Sequence, residues 1–162
     1  MGYTLEGFIA RQTTFDGVVE PTLAVVDLPQ QFVLVPLTDE LRDSFPLGTT
    51  CYDSFYKLNS ELGVWANELS RAGAIAYLEA ELFGGTGTHA AVVWDSGKVA
   101  FGPLQTEVRW DGQKIIAPPL RDNAFNQALR FLGVILGDAN DEFDALGLGR
   151  HRGTEKWAEE SR

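Results

Sequence analysis

The run Gly84-Gly-Thr-Gly-Thr-His89 is the segment whose composition most resembles a site. Glycines let a backbone approach a ligand, and successive N–H groups can form an anion-binding nest. Gly84, Gly85, Thr86, Gly87 and His89 are therefore candidate binding residues. The run lacks the lysine of a phosphate-binding P-loop and is followed by a β-like stretch, where a dinucleotide fingerprint requires a helix. The simpler reading is a glycine turn, since glycine supplies positive φ wherever a tight turn needs it.

Paired carboxylates are the next candidates. Glu79 and Glu81 fall on one face if 74–83 is a strand, with Tyr77 beside them. Such a pair can carry general acid/base chemistry, form an acidic and aromatic binding face, or be the solvent side of a sheet. His89 is the conceivable base for Glu79 or Glu81 to orient. Trp94 and Trp110 are either core residues or interface anchors. His89 and His151 are the only histidines, and their spacing matches no zinc pattern. Cys51 is the only cysteine, so no intramolecular disulfide forms. It reads as a buried, inert thiol in a reducing compartment, and as a nucleophile only with a base from elsewhere. Arg150-His151-Arg152 is able to hold an anion, although charge balance in an acidic tail explains it more simply.

Glycine and proline punctuate the elements that must position these groups. The spacing predicts strands over 2–11, 21–27 and 31–37, then a short helix capped at Thr38 and begun by Asp39 and Glu40. Phe55, Leu58, Leu62, Trp65 and Leu69 recur every three or four residues, which predicts a helix over 54–72. From Ala74 to Ala117 the pattern becomes a β-meander of four or five antiparallel strands, its first run, 74–83, having a composition that suits a helix equally well. Its turns are Gly84-Gly85, Asp95-Ser-Gly97 and Asp111-Gly112, with Gly102-Pro103 as a further break. A helix is predicted over 123–136, after a capping Asp122 or Asn123. The expected architecture is a single α+β domain over 1–162: a meander sheet packed by two main helices, with 138–162 as a loosely packed tail.

Composition narrows the function class. The net charge is −10, from 23 acidic and 13 basic residues. That field repels nucleic-acid phosphates and anionic membranes, and steers encounter with a basic partner. No apolar run approaches the ~20 residues of a membrane span. The first residues lack the basic and apolar stretches of a signal peptide, so a cytoplasmic location is expected. No pattern calls for a cofactor or a metal.

The Gly84-Gly-Thr-Gly run, Ala90-Ala-Val-Val-Trp94, Gly102-Pro103 and Asn126-Gln-Ala-Leu-Arg-Phe-Leu-Gly133 together resemble small uncharacterised actinobacterial-type proteins. Some of these are similar to immunity proteins encoded beside toxins. The resemblance implies a cytoplasmic, non-enzymatic binding protein that blocks a toxin, and it assigns no residue. Sequence alone thus leads to an acidic binder with a basic toxin as partner, its docking surface expected on the exposed meander face. The alternatives are a small enzyme built on the Gly84–His89 run and a homo-oligomeric accessory protein joined through a sheet edge.

Overall fold

Alternating apolar positions, cut by short glycine turns, give the chain long strands that pair with their sequence neighbours. The computed structural model describes residues 2–49 and 52–161; Cys51 lies outside them. The strands are β1 (Gly2–Arg11), β2 (Val26–Asp27), β3 (Phe32–Pro36), β4 (Ile75–Phe83), β5 (Thr86–Asp95), β6 (Lys98–Trp110) and β7 (Ile115–Ile116). They form one antiparallel sheet in the order β2-β3-β1-β4-β5-β6-β7. The helices are α1 (Asp39–Asp43), α2 (Ser60–Leu69), α3 (Ala124–Leu132), α4 (Glu142–Ala145) and α5 (Thr154–Glu160). The chain is α+β, with its β4–β7 meander where the alternation placed it.

Both faces of the sheet are buried over its central strands β1, β3, β4 and β5, while β6 is mostly exposed. On one, Phe8, Val35, Tyr77, Val92 and Trp94 pack with Phe55 and Leu62 near α2. On the other, Leu5, Leu78 and Val93 meet Phe125 and Leu129 of α3 and Trp157 of α5. The two main helices therefore lie on opposite sides of the sheet.

Several element limits are corrected, among them the strand expected over 21–27, which spans only Val26–Asp27. The helix expected over 54–72 spans only Ser60–Leu69. Asn59 caps it, its side-chain oxygen accepting the Leu62 N–H at 2.9 Å. Phe55 and Leu58 remain buried but belong to the preceding loop, so the apolar period runs past the helix into the core. Likewise α3 stops at Leu132, because Gly133 turns left-handed at φ 97°. Gly102-Pro103 does not divide a strand. β6 runs through it, with register shifts against β5 between Ala91 and Trp94, so the meander has four strands. A Cβ at Gly102 would lie 2.7 Å from the Ala91 carbonyl oxygen, which is why glycine stands where the strand irregularity brings the backbones close.

The described part of the expected loose tail, 138–161, is packed against the sheet. Leu146, Leu148 and Trp157 are fully buried. β1 extends beyond its last pairing with β3 at Gly7 and Pro36, which leaves edge N–H groups to satisfy. The C-terminal segment does this. The Thr4 N–H donates to the Arg152 carbonyl at 3.0 Å, and the Glu6 N–H to the Thr154 hydroxyl at 3.0 Å.

Candidate functional site

Period-two alternation places Tyr77, Glu79 and Glu81 of β4 on one face, with Glu6 of β1 directly opposite Glu79. Glu81 is exposed, but Glu79 is only 6% exposed and accepts three hydrogen bonds. They come from the Tyr77 hydroxyl at 2.6 Å and the backbone N–H groups of Tyr56 at 2.5 Å and Lys57 at 3.1 Å. Burial, then the adjacent carboxylate, raises the Tyr77 pKa well above its ordinary value.

Glu6 accepts the Thr154 hydroxyl and sits 3.8 Å from Lys57 Nζ. Burial lifts its pKa above the usual carboxylate value, against the lowering by Thr154 and Lys57, and Glu79 and Glu81 push it further up. A raised glutamate beside other carboxylates is acid/base geometry in outline. The hollow that Glu6, Glu79 and Glu81 line is only about 40 Å³. It holds a few waters and no substrate of ordinary size. Glu79 ties the 56–57 loop to the sheet.

The glycine run is a hairpin turn. Gly84 and Gly85, at φ 62° and 84°, form its two exposed turn residues, and Thr86 already faces Phe83 in the ladder. Gly87 is in β5, where a Cβ would lie 1.9 Å from the Glu81 carbonyl oxygen. The glycines thus serve chain reversal and close strand approach.

His89 projects from the other face, edge-on to Phe125 at 5.0 Å. Its register partner is Ala80, while that of Glu79 is Ala90. The sheet therefore stands between His89 and the carboxylates Glu79 and Glu81, and neither orients it as a base. His89 is 8% exposed and its buried Nδ1 has no hydrogen-bond partner. Burial lowers its pKa to about 4, so it is neutral at pH 7. Beside it opens a hollow of about 310 Å³, lined by Tyr3, Leu82, Asn123, Asp141, Phe143 and Arg152.

Trp94 is core, 2% exposed, whereas Trp110 is 59% exposed next to Ile115 of β7. Because β7 covers only Arg109 and Trp110, no strand among the described residues flanks β6 on its outer side from Lys98 to Val108. The basic cluster splits. Arg150 and His151 both meet Glu160, at 2.6 and 3.1 Å, while Arg152 Nε donates to the Gly2 carbonyl at 3.1 Å.

A second acidic opening lies away from the meander. Thr38 caps α1, its hydroxyl oxygen accepting the Leu41 N–H at 3.1 Å. α1 and α5 then flank a cleft of about 300 Å³ with Asp39, Glu40 and Glu155 in its wall and Leu23, Leu41 and Ala158 as apolar lining. Asp39 pairs with Arg42 at 3.1 Å; Glu40 and Glu155 have no ion-pair partner among the described residues. Sequence reasoning used Asp39 and Glu40 only as helix-start residues and left Glu155 in the tail. The carboxylates meet only through the docking of α5.

Among the described residues, no group of three or more His, Cys, Asp or Glu is arranged to hold a metal ion, and no helix is long and apolar enough to cross a membrane. No protein-family model matches the chain, and no curated protein or solved structure matches it significantly.

Proposed function

We propose that this chain is a non-enzymatic binding protein that receives a basic side chain of a protein partner in the α1–α5 cleft, acting as a cytoplasmic immunity protein against a basic toxin. The cleft carries the reading. An arginine or lysine entering it lays its aliphatic stem on Leu23, Leu41 and Ala158 and brings its charge to Asp39, Glu40 and Glu155. The net charge of −10 speeds encounter with such a partner. The acid/base alternative lacks support where it was expected, since Glu79 is committed to the 56–57 loop and His89 lies across the sheet. Co-expression with the product of the neighbouring gene tests the proposal. The wild-type chain restores growth, and the Glu40→Lys/Glu155→Lys double variant, folded as judged by circular dichroism, does not. A neighbouring product that is harmless, or equal protection by the double variant, rejects it.

One observation favours a second reading, self-association. The outer side of β6 is unpaired and Trp110 and Ile115 are exposed beside it. Pro103 and Lys98 blunt that edge and leave Leu104–Val108 as its regular part. Solution mass across a concentration series decides this reading: a growing dimer fraction supports it, and a constant monomer mass removes it.

A further inference from the structure

We propose that the hollow beside His89 is a binding site for a small aromatic carboxylate, a ligand independent of the protein partner. At about 310 Å³ the hollow accommodates one ring with a short acid group. Its walls supply the two halves of such a ligand's chemistry. Tyr3 and Phe143, edge-to-face at 5.7 Å, and Leu82 form an aromatic and aliphatic surface.

The polar groups left unused are mainly donors. Arg152 spends Nε on the Gly2 carbonyl, and its terminal nitrogens have no partner among the described residues. A guanidinium with both terminal nitrogens available is suited to a carboxylate. The Asn123 side-chain oxygen accepts the Asn126 N–H at 2.9 Å, which leaves its amide hydrogens to donate. The Tyr3 hydroxyl already donates to the Leu148 carbonyl at 2.9 Å. Asp141 is the one carboxylate in the wall. Its oxygens accept the Asp144 N–H at 2.8 Å and the Asn126 amide at 3.2 Å. It keeps its charge and part of its accepting capacity, so it disfavours a phosphate dianion more than a monoanion.

His89 is the second, independent observation. Buried polar atoms in folded proteins nearly always have a hydrogen-bond partner, yet no hydrogen bond is formed by the His89 ring among the described residues. The unpartnered Nδ1 is itself sealed from solvent, so it is the ring's other nitrogen, Nε2, that is left to meet a hydroxyl or similar substituent on the ring of the ligand.

The test uses the full chain and three probes: 4-hydroxybenzoate, its uncharged isostere 4-hydroxybenzamide, and inorganic phosphate. Nuclear magnetic resonance titration follows the His89 ring and the Asn123 and Phe143 backbone signals. The expected result is saturable movement of these signals by 4-hydroxybenzoate, roughly tenfold weaker binding of the amide, and no comparable response to phosphate. Arg152→Gln brings the acid to the level of the amide. Leu82→Trp fills the hollow without touching Arg152 and abolishes both, which keeps the test decisive if Arg152→Gln impairs folding. Absence of saturable movement, equal affinity for acid and amide, or undiminished binding by Leu82→Trp overturns the assignment.

Discussion

Glu79 and His89 are buried polar groups one register step apart on paired strands, and they face opposite ways. Glu79 faces the α2 side, where the Tyr77 hydroxyl and two backbone N–H groups meet its carboxylate. His89 faces α3, and its buried Nδ1 meets nothing. Neither position follows from residue type alone, since both groups carry strong polar atoms into a buried layer. The difference is local supply. The loop before α2 brings its N–H groups to Glu79, whereas α3 presents His89 with the edge of Phe125. A saturated buried polar group is a structural tie, and an orphaned one calls for a separate explanation.

The strongest way to break this comparison is to remove the tie. Glu79→Ala leaves the Tyr77 hydroxyl and the Tyr56 and Lys57 N–H groups unsatisfied, and destabilises the protein by about 3 to 5 kcal/mol in urea unfolding. A loss within the range of an ordinary surface change contradicts the structural role of Glu79.

The opposite face responds to pH. His89 has its pKa lowered from 6.5 to about 4 by burial. The unfolded chain therefore takes up its proton first as the pH falls. The stabilisation is complete above pH 6.5 and is lost as the pH drops from there to about 4. The loss is about 3 kcal/mol, measured as the difference in unfolding free energy across that window. His89→Phe removes this component of the pH dependence, and a profile identical to wild type assigns it to other groups.

The smallest expected effect concerns the seam between β1 and α5. Thr154→Val keeps the shape of the side chain but strips Glu6 of both the hydroxyl donor to its carboxylate and the acceptor for its N–H. Stability falls by about 1 to 3 kcal/mol, readable by thermal unfolding at neutral pH. No change means that the Thr154–Glu6 bonds add nothing to the hold on the C-terminal segment.

The meander was legible because its turns are chemically explicit. Gly84-Gly85 is a two-residue reversal that sets β4 against β5, whereas Asp111-Gly112 opens a wider loop over 111–114 before β7, where a strand from 113 was expected. The parity of Glu79 and His89 was legible too, although the sequence reading linked them as a pair. A two-residue Gly84-Gly85 turn sets Phe83 against Thr86, hence Glu79 against Ala90 and His89 against Ala80, which puts the two side chains on opposite faces. What period two cannot reveal is burial by non-local partners. Glu79 looked solvent-facing because the loop that covers it lies on another part of the chain. Phe55 and Leu58 looked helical because a buried loop can continue an apolar period. The C-terminal segment looked loose because its acidic and glycine-rich composition hides Leu146, Leu148 and Trp157, and the acidic cleft was invisible for the same reason.

Calorimetric titration of the neighbouring gene product into this chain, at low and at moderate salt, tests the binding reading most directly. Wild type should give saturable heat that weakens as salt screens the charges. Glu40→Lys/Glu155→Lys should bind roughly tenfold or more weakly while Glu81→Lys, on the meander, should bind as wild type does. Equal affinity for wild type and the cleft variant, or a loss confined to Glu81→Lys, would contradict the account and return the docking surface to the sheet.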